Sequence, residues 1–339
     1  MTTPVRANIY AVADRAGVSI ATVSRVQRGI GPVSQDTRQR VLRAIEELRY
    51  TPNGSGRALA NQRQGAMGIV FPDLSGPYYS EVILGVEAEV VAAGQSLLIL
   101  GTHGRDRRAE LVLDLMGRVD GLIVMGRTVS DEVVRALEGG RTPLVLLARP
   151  PVDDIPSVRA EGLGPATALT RHLLEHGHDR LAFVGDPTSS PDAEERWRGF
   201  AQALGSAGAP GLTAPFRAAF GEAEGREAAG AALDAGATAL VCASDELALG
   251  AYGAAGARRL RIPEDIAITG WDDIQLARYV SPALTTVRQP MRALGATAAR
   301  LLSERIAGAV PDSTVLASEV VVRASCGCEP SHESQEENR

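Results

Sequence analysis

The sequence of 339 residues contains no lysine, and arginine supplies all 35 of its basic side chains. Without a lysine amine, the chain can form neither a catalytic Schiff base nor a phosphate-binding loop of the Gly-Lys-Ser/Thr kind. The Gly-x-Ser-x-Gly motif of many hydrolases is missing as well. No apolar run reaches the roughly 18 residues of a membrane span, and the first residues show no apolar signal-peptide core. These absences predict a globular cytoplasmic protein and exclude several catalytic classes.

Cysteine is scarce too, with Cys242, Cys326 and Cys328 as the whole set. An odd number of cysteines in a long chain without a secretion signal is typical of a reducing compartment. The Cys326-Gly-Cys328 pair could be a fragment of a metal or redox site. Because a structural zinc site needs about four ligands, we instead expect unpaired thiols near the end of the last strand.

Histidine gives a second, equally incomplete metal signal. His172 and His176 stand four residues apart on a predicted helix, and His178 follows. This spacing can bind a metal, but the Glu of a His-Glu-x-x-His motif does not follow the first His. Gly162-Leu-Gly164 is likewise too short for a dinucleotide fingerprint. We therefore expect neither a metal nor a cofactor.

What the sequence does contain is an asymmetry of charge. Residues 1–64 hold 10 Arg and 4 acidic residues, whereas residues 65–339 hold 25 Arg and 37 acidic residues. A small basic segment on an acidic body indicates a polyanionic partner for that segment alone. A solvated basic surface without a partner is the alternative.

Three helices are predicted at the start of the chain, each beginning at a residue that can cap it: Asn8, Ser19 and Ser34. Gly17 and Gly29 end the first two. The apolar residues expected to face inward are Ile9, Val12, Ala13, Val23, Val26, Val41, Leu42, Ile45 and Leu48. Only a tight turn containing Gly separates the first two helices, which is the arrangement of a helix-turn-helix.

The second helix has an outward face without any acidic residue. Its members are small, hydroxylic or basic: Ile20, Ala21, Thr22, Ser24, Arg25 and Arg28. Small side chains let a helix lie deep in the major groove, where Arg can bind guanine with two hydrogen bonds. The hydroxyls of Ser19, Thr22 and Ser24 suit phosphate contacts. We expect this face to bind DNA, with a purely structural helical bundle as the alternative.

The head also carries a resemblance. The run VADRAGVSIATVSRV, the segment VSQDTR at 33–38 and LRYTPN at 48–53 resemble the LacI/GalR family of bacterial transcription regulators. The resemblance implies base contacts for Ile20, Ala21 and Arg25. It implies contacts with the DNA backbone for Tyr10, Ser19, Thr22, Ser24, Thr37 and Arg38. Arg28 stands where the family usually has Asn, which adds a charge at the end of the recognition helix.

The stretch NGSGRALANQRQ at 53–64 joins this head to the rest of the chain. The resemblance implies a hinge helix here, which in relatives pairs with its dimer mate over the minor groove. The residues expected to contact DNA are Asn53, Arg57, Ala58 and Leu59, with Leu59 as a wedge between bases. Two glycines and so short a helix make it marginal in water. We therefore expect disorder near 53–62 without operator DNA; a plain linker is the alternative.

The rest of the chain alternates apolar, strand-like runs with helical stretches. The runs are 66–72, 96–102, 121–126, 143–148, 181–186, 239–244 and 267–272. Near-continuous apolar strands between helices indicate buried parallel strands, and so many units favour two doubly wound α/β lobes. Ligands bind beyond the carboxyl ends of such strands, where polar and aromatic residues gather. These residues suit a polar ring such as a sugar or nucleobase.

The resemblance extends over nearly the whole chain, through SDELALG at 244–250, GWDD at 270–273 and LTTVRQP at 284–290. It implies an all-α helix-turn-helix head followed by a two-lobed, periplasmic-binding-protein-like body of doubly wound parallel sheets. It also implies effector contacts from Tyr78, Tyr79, Arg149, Arg196, Phe220, Ser244, Asp272 and Gln289.

The expected domain boundaries follow from this layout. The head comprises 1–52, the hinge 53–64 and the effector-binding and dimerisation body 65–328. Within the body, lobe 1 comprises about 65–160 and 290–320, and lobe 2 about 161–289 and 321–328. The tail at 329–339 is expected to be disordered, and it lacks the apolar heptads of relatives that form tetramers.

Three positions depart from the polar residues that are usual in the family. Gly76 and Ser244 stand where many relatives have Asn, and Ala148 stands where many have Asp. These departures remove or shorten side chains that commonly hold sugar hydroxyls. We therefore expect an effector larger than a free pentose or hexose, such as a disaccharide or a glycoside.

The expected function is a DNA-binding regulator rather than an enzyme, and a repressor by the family default. It would bind a pseudo-palindromic operator as a homodimer, under control of a sugar, oligosaccharide or glycoside held between the lobes. A nucleobase- or nucleoside-responsive regulator, a cytosolic solute-binding protein and a hydrolase on the same lobes are the alternatives. Asp272-Asp273 could serve a hydrolase, but no plausible partner for it is evident.

Overall fold

The computed structural model describes residues 8–50, 63–140 and 142–328. It divides after Gly65 into two compact units, which are described separately. The hinge residues Asn53, Arg57, Ala58 and Leu59 and the tail at 329–339 lie outside the described residues, so the predictions made for them stay predictions.

The first unit is built from helices α1 (Ile9–Ala16), α2 (Ile20–Arg28) and α3 (Gln35–Glu47). The predicted caps are confirmed. The side chains of Asn8, Ser19 and Ser34 each accept a hydrogen bond from the backbone N–H three residues on. Gly17 and Gly29 end α1 and α2 in the left-handed conformation, with φ of 66° and 64°. That conformation is strained for residues that carry a Cβ, so these glycines fix the tight helix-turn-helix connection.

The core of this unit is small and packs around Val12, Val23 and Val41, which are fully buried. One predicted core residue is wrong, since the side chain of Leu42 is 51% exposed. A helix turns about 100° per residue, so a position next to Val41 points away from the core. Ala44, three residues after Val41, takes the inward position instead.

The second unit alternates strands with helices. Its strands are β1 (Ala66–Phe71), β2 (Ser96–Gly101), β3 (Gly121–Met125), β4 (Leu144–Leu147), β5 (Ser157–Ala160), β6 (Leu181–Val184), β7 (Ala239–Cys242), β8 (Ala267–Thr269), β9 (Thr286–Arg288), β10 (Thr314–Leu316) and β11 (Glu319–Val321). Its helices are α4 (Pro77–Ala92), α5 (Arg108–Met116), α6 (Asp131–Glu138), α7 (Leu163–Glu175), α8 (Pro191–Ala207), α9 (Glu222–Asp234), α10 (Asp245–Ala257) and α11 (Met291–Ile306). Two 3₁₀ turns, Gln275–Arg278 and Ala324–Cys326, complete it.

Six strands form a parallel sheet in the order β10-β5-β4-β3-β1-β2. Neighbouring residues of β1 pack on opposite faces: Ile69 lies against α4 and α11, and Val70 lies against α5 and α6. Because both faces of β1, β3 and β4 are covered, these three strands are buried and apolar along their whole length, which is why the sequence pattern found them. The predicted doubly wound architecture is confirmed for this lobe.

A second parallel sheet, in the order β6-β7-β8, forms the core of the other lobe, with its own buried cluster that includes Phe183, Phe200 and Trp271. The chain then returns through α11 and β10 to the first sheet, while β11 pairs antiparallel with β9. The sequence pattern missed β5, β9, β10 and β11. They are three or four residues long, and none reads as a continuous apolar run.

Helices α4 and α11 cross at a point where each helix has a glycine. A Cβ on Gly85 would lie 2.0 Å from the carbonyl oxygen of Arg292, and one on Gly295 would lie 2.1 Å from that of Val82. Only residues without a side chain let the two backbones approach so closely. The crossing fixes α4, whose first turn enters the cleft described below.

Candidate functional site

In the first unit, α2 exposes the residues predicted to contact bases. Ile20, Ala21 and Arg25 are exposed, while Val23 and Val26 on the other side of the helix are buried. A helix that anchors one face in a core and exposes small and basic residues on the other can enter a major groove. The predicted recognition face is therefore available on the surface of its unit.

Two pairs of hydroxyl groups stand at the N-termini of α2 and α3. Ser19 Oγ lies 3.0 Å from Thr22 Oγ1 and accepts a hydrogen bond from Thr22 N. Ser34 Oγ donates to Thr37 Oγ1 at 2.8 Å in the same arrangement. Oriented hydroxyls at helix N-termini suit phosphate groups, because the backbone N–H groups there point in the same direction.

The other residues predicted to contact DNA differ in how exposed they are. Tyr10 and Arg38 are exposed, and Ser24 is half-buried. Arg28 is the last residue of α2, and its side chain lies outside the described part of the chain. The hinge contacts also lie outside it. The structure places the described helix-turn-helix residues in one unit, and their contacts with DNA stay predictions.

In the second unit, a cleft lies beyond the carboxyl ends of the strands of both lobes and encloses about 170 Å³. It is lined by Pro72, Asp73, Ser75, Tyr78, Tyr79, Met125, Gly126, Arg127, Ala148, Ser190, Asp192, Arg196, Phe220, Gly221, Ser244, Glu246 and Asp272. Six of the eight predicted effector contacts are among these residues: Tyr78, Tyr79, Arg196, Phe220, Ser244 and Asp272.

Aromatic rings form part of the cleft wall. The rings of Tyr78 and Tyr79 meet edge to face with centroids 5.4 Å apart, and Tyr79 meets Phe71 in the same way at 5.7 Å. Burial raises the pKa of both tyrosine hydroxyls, so they stay neutral hydrogen-bonding groups. On another wall, the guanidinium of Arg127 lies 5.0 Å from the centre of the Phe220 ring.

The guanidinium of Arg196 is buried at the cleft and held in place. It stacks 4.7 Å from the centre of the Trp271 ring, and its Nη1 donates to the carbonyl oxygen of Ala243. Its Nε is buried, and it has no hydrogen-bond partner among the described residues. A fixed cation with an unused donor at a cleft wall is a candidate ligand contact.

Buried carboxyl groups give the cleft its electrostatic character. Burial raises the pKa of Asp272 to about 8, although Arg196 opposes this shift, and burial raises the pKa of Asp192 to about 6. Burial also raises the pKa of Glu246. A neutral carboxyl group can both donate and accept. The amide of Gln289 donates to Asp272 and orients its carboxyl group.

Two predicted effector contacts do not line this cleft. Arg149 is buried, but its Nη1 donates to the carbonyl oxygen of Val129 at 3.0 Å and its Nη2 pairs with Asp131. These bonds hold the loop that precedes α6. Gln289 is buried, and its side-chain amide donates to Asp272, which lines the cleft.

The predicted effector contacts omitted four charged residues that line the cleft: Asp73, Arg127, Asp192 and Glu246. Each follows the end of a buried strand, either directly or in the first turn of the next helix. Ser190 and Ser244 cap those helices. For Asp192 and Glu246, the signal available in the sequence was an acidic residue two positions after a serine N-cap, in the helix that follows a buried strand.

The three departures from the family pattern have different structural outcomes. A Cβ on Gly76 would lie 3.0 Å from the carboxylate of Glu246, so Glu246 fills the space that a longer side chain would take. Ala148 lines the cleft with a left-handed φ of 51°. Ser244 Oγ accepts from Leu247 N at 3.2 Å and so caps α10. Ala148 and Ser244 therefore line the cleft, whereas Glu246 occupies the space beside Gly76.

Both units match known families. A family described as bacterial regulatory proteins, lacI family, matches residues 8–53, and one described as a periplasmic binding protein-like domain matches residues 170–326. Catabolite control protein A of Priestia megaterium is 34% identical over 315 residues, which cover 91% of this chain and 95% of that protein. This chain belongs to the LacI family of bacterial regulatory proteins.

Other LacI-family members match over nearly their whole length. The transcriptional repressor PurR of Pasteurella multocida is 34% identical over 94% of this chain and 98% of its own. The crystal structure of the lac repressor dimer bound to operator and the anti-inducer ONPF superposes with a TM-score of 0.85 at 28% identity, covering 94% of this chain and 99% of that one. A CelR–cellobiose complex gives 0.71 at 30% identity, with 94% and 100% covered.

The helix-turn-helix face and the membership of the LacI family identify a DNA-binding transcriptional repressor and not an enzyme. The predicted fold, regulator class and DNA partner are confirmed. Across the residues that the structure describes, no helix is both long and apolar enough to cross a membrane.

Proposed function

We propose that this LacI-family repressor responds to a neutral carbohydrate, such as an oligosaccharide or a glycoside, bound in the cleft between the lobes. We propose further that it acts as a homodimer on operator DNA in the cytoplasm. The observation that carries the proposal is the combination of carboxyl groups, guanidinium groups and aromatic rings around one cleft, with Arg196 and Asp272 buried in its wall.

The charge balance argues for a neutral ligand. Four carboxyl groups line the cleft, from Asp73, Asp192, Glu246 and Asp272, against the guanidinium groups of Arg127 and Arg196. An anionic ligand would add like charge to this set in a partly buried site, which is unfavourable. A phosphorylated or carboxylate effector is therefore disfavoured.

The hydrogen-bonding groups suit hydroxyls. A sugar hydroxyl donates to a carboxylate and accepts from a guanidinium or from a neutral carboxyl group, and this cleft offers all three kinds of group. Tyr78 and Tyr79 add apolar surface on which the C–H groups of a sugar ring can pack. The CelR relative, whose structure is described with cellobiose, supports this ligand class.

A nucleobase effector is the second candidate, supported by the similarity to PurR. A flat base would stack best on an open aromatic face. In this structure the guanidinium of Arg127 lies over Phe220, and the two tyrosines meet edge to face. Stacking would require Arg127 to move, and this favours the carbohydrate.

Regulation follows from linkage between the two binding events. A ligand changes the affinity for DNA only when it binds one state of the lobes more tightly than another. In a homodimer, a change in the lobes can alter the spacing of the two heads, and thereby the match to two half-sites of an operator. The lac repressor dimer bound to its operator supports this arrangement.

Calorimetric titration of the full chain against a panel tests the effector class. The panel comprises monosaccharides, disaccharides, aryl glycosides, nucleobases and sugar phosphates. We expect binding of a disaccharide or a glycoside. Tight binding of a nucleobase alone, or of a phosphorylated sugar alone, would refute the proposal, and a plain monosaccharide as the tightest ligand would refute the expected size.

A pair of variants on one helix tests the site. Arg196→Ala should weaken binding of the ligand by about 10-fold or more, because a buried charge-assisted hydrogen bond contributes about 1.5–3 kcal/mol. Arg198→Ala, an exposed position two residues along α8, should bind as the wild type does. Equal affinity of both variants would place the ligand elsewhere.

A further inference from the structure

Two sequence fragments that are weak metal signals separately lie together in the second lobe. His172 is in the last turn of α7 and His176 caps that helix, while Cys326 and Cys328 lie in the final turn of the described chain. The contacts between the two histidines and the two cysteines join residues that are 152 to 156 positions apart in sequence. None of the four lines the cleft described above.

The ligating atoms of His172, His176 and Cys328 converge, and Cys326 adjoins them through His172. Cys328 Sγ lies 3.0 Å from His176 Nε2 and 3.4 Å from His172 Nε2. Cys326 Sγ lies 3.3 Å from the same His172 Nε2. The ligating atoms of His172, His176 and Cys328 all lie within 4.8 Å of one another.

These distances approach those of a tetrahedral zinc site. Zn–S bonds of about 2.3 Å and Zn–N bonds of about 2.0–2.1 Å place neighbouring ligand atoms about 3.3–3.8 Å apart in a tetrahedron. The sulfur–nitrogen distances here need to change by only a few tenths of an ångström. The backbone therefore already holds His172, His176 and Cys328 close to the geometry of a bound ion, with Cys326 next to His172 as the fourth donor.

Outer hydrogen bonds orient the ligands. His176 Nδ1 lies 2.7 Å from the carbonyl oxygen of His172, so Nδ1 carries the proton and Nε2 keeps its lone pair toward Cys328. The hydroxyl of Thr285 donates to Cys326 Sγ at 3.2 Å.

The site also has a route for entry of an ion. His176 is exposed and Cys328 is half-buried, while Cys326 forms the buried floor. The chemistry of the donors selects the ion, because two thiols and two imidazoles are typical ligands of structural Zn²⁺ and are poor ligands for Mg²⁺ or Ca²⁺.

We propose that His172, His176, Cys326 and Cys328 form a structural zinc site. The bound ion would join the C-terminal end of α7 to the last turn of the chain. Because ions that bind only the folded state stabilise it by mass action, Zn²⁺ would raise the stability of this lobe. The site is independent of the effector proposed above, since it shares no residue with the cleft.

Metal titration of the full chain, reduced and stripped with a chelator, tests the proposal. Zn²⁺ is titrated in competition with a chromophoric chelator, and Co²⁺ is used as a spectroscopic probe. We expect one ion per chain, a thiolate-to-Co²⁺ charge-transfer band that Zn²⁺ abolishes, and a higher Tm with Zn²⁺. The absence of any stoichiometric ion, or a Co²⁺ spectrum without thiolate bands, would overturn the proposal.

Variants separate the site from adventitious binding. His176→Ala and Cys328→Ser should each weaken Zn²⁺ binding by roughly 100-fold or more, because even loss of an outer-shell partner costs 10- to 100-fold. Cys326→Ser should keep a weaker charge-transfer band, since one thiolate remains. The matched controls His178→Ala and Cys242→Ala should bind as the wild type does. Unchanged affinity in Cys328→Ser, or an equal loss in both controls, would refute the site.

Discussion

Asp272 offers a quantitative test of how the cleft is built. Its carboxyl group is buried, and burial raises its pKa to about 8, against about 3.9 for an aspartate in an unfolded chain. A group whose pKa is raised on folding contributes stability below its unfolded pKa, and this contribution is lost as the pH rises toward the folded pKa. The window for Asp272 is therefore about pH 4 to pH 8, and stability should fall with increasing pH across it.

The size of the effect follows from the shift. Between the two pKa values the unfolded state has released one proton that the folded state keeps, so stability falls by about 1.4 kcal/mol per pH unit. From pH 4 to pH 7 this amounts to about 4 kcal/mol from a single side chain. Asp272→Asn removes the titration but keeps the oxygen that accepts from Gln289. The variant should match the wild type near pH 4 and be more stable by a few kcal/mol at pH 7.

Urea unfolding of the ligand-free protein from pH 4.5 to pH 7.5, followed by circular dichroism, measures the difference. The control is Asp265→Asn. Hydrogen bonds from Arg261 lower the pKa of Asp265 to about 2, so Asp265 is ionised in both states over this range. Asp265→Asn should leave the slope of stability against pH unchanged. Parallel curves for the wild type and Asp272→Asn would refute the burial of a protonated carboxyl group at this position.

Three further predictions concern the helix crossing and the DNA-binding unit. Gly85→Ala should destabilise the body by about 1–3 kcal/mol or more in urea unfolding, because its Cβ would overlap a carbonyl oxygen. The control Gly205→Ala, whose Cβ would have no atom within 4 Å, should stabilise α8 by about 0.5–1 kcal/mol. An unchanged stability of Gly85→Ala would contradict the close crossing of the two helices. In fluorescence anisotropy, Arg25→Ala should weaken the binding free energy for the operator by about 1–3 kcal/mol and relax specificity at one base pair. Arg38→Ala should weaken binding to all DNA sequences and reduce the salt dependence of binding. The reverse pattern would show that Arg38 contacts a base and Arg25 a phosphate. Leu59→Ala should weaken operator binding more than binding to random DNA in gel-shift titrations, and an equal loss on both would argue for a plain tether.

The local signals in the sequence predicted the helix-turn-helix in detail. Ser19 and Gly29 define α2 because an N-cap and a left-handed C-cap are properties of single residues and their neighbours. The buried strands were found for a similar reason, since a sheet covered on both faces needs apolar residues at every position. Leu42 was misplaced because one residue of rotation on a helix separates core from solvent.

The candidate site was predictable only in part. Tyr78 and Asp272 lie at strand ends that the sequence pattern marked, and both line the cleft. Arg149 lies at such an end too, yet its guanidinium turns to Val129. The direction of a long side chain depends on partners that are distant in sequence, so a position at a strand end does not establish a ligand contact.

The sequence by itself determined the helix-turn-helix, the parallel strands and the membership of a regulator family, because each depends on short-range patterns that residues carry within a few positions. Only the tertiary structure decided which side chains meet. It placed Glu246 in the space beside Gly76 and brought His176 to within 3.0 Å of Cys328. Contacts between residues so far apart in sequence depend on how helices and sheets pack, and no local pattern records that packing.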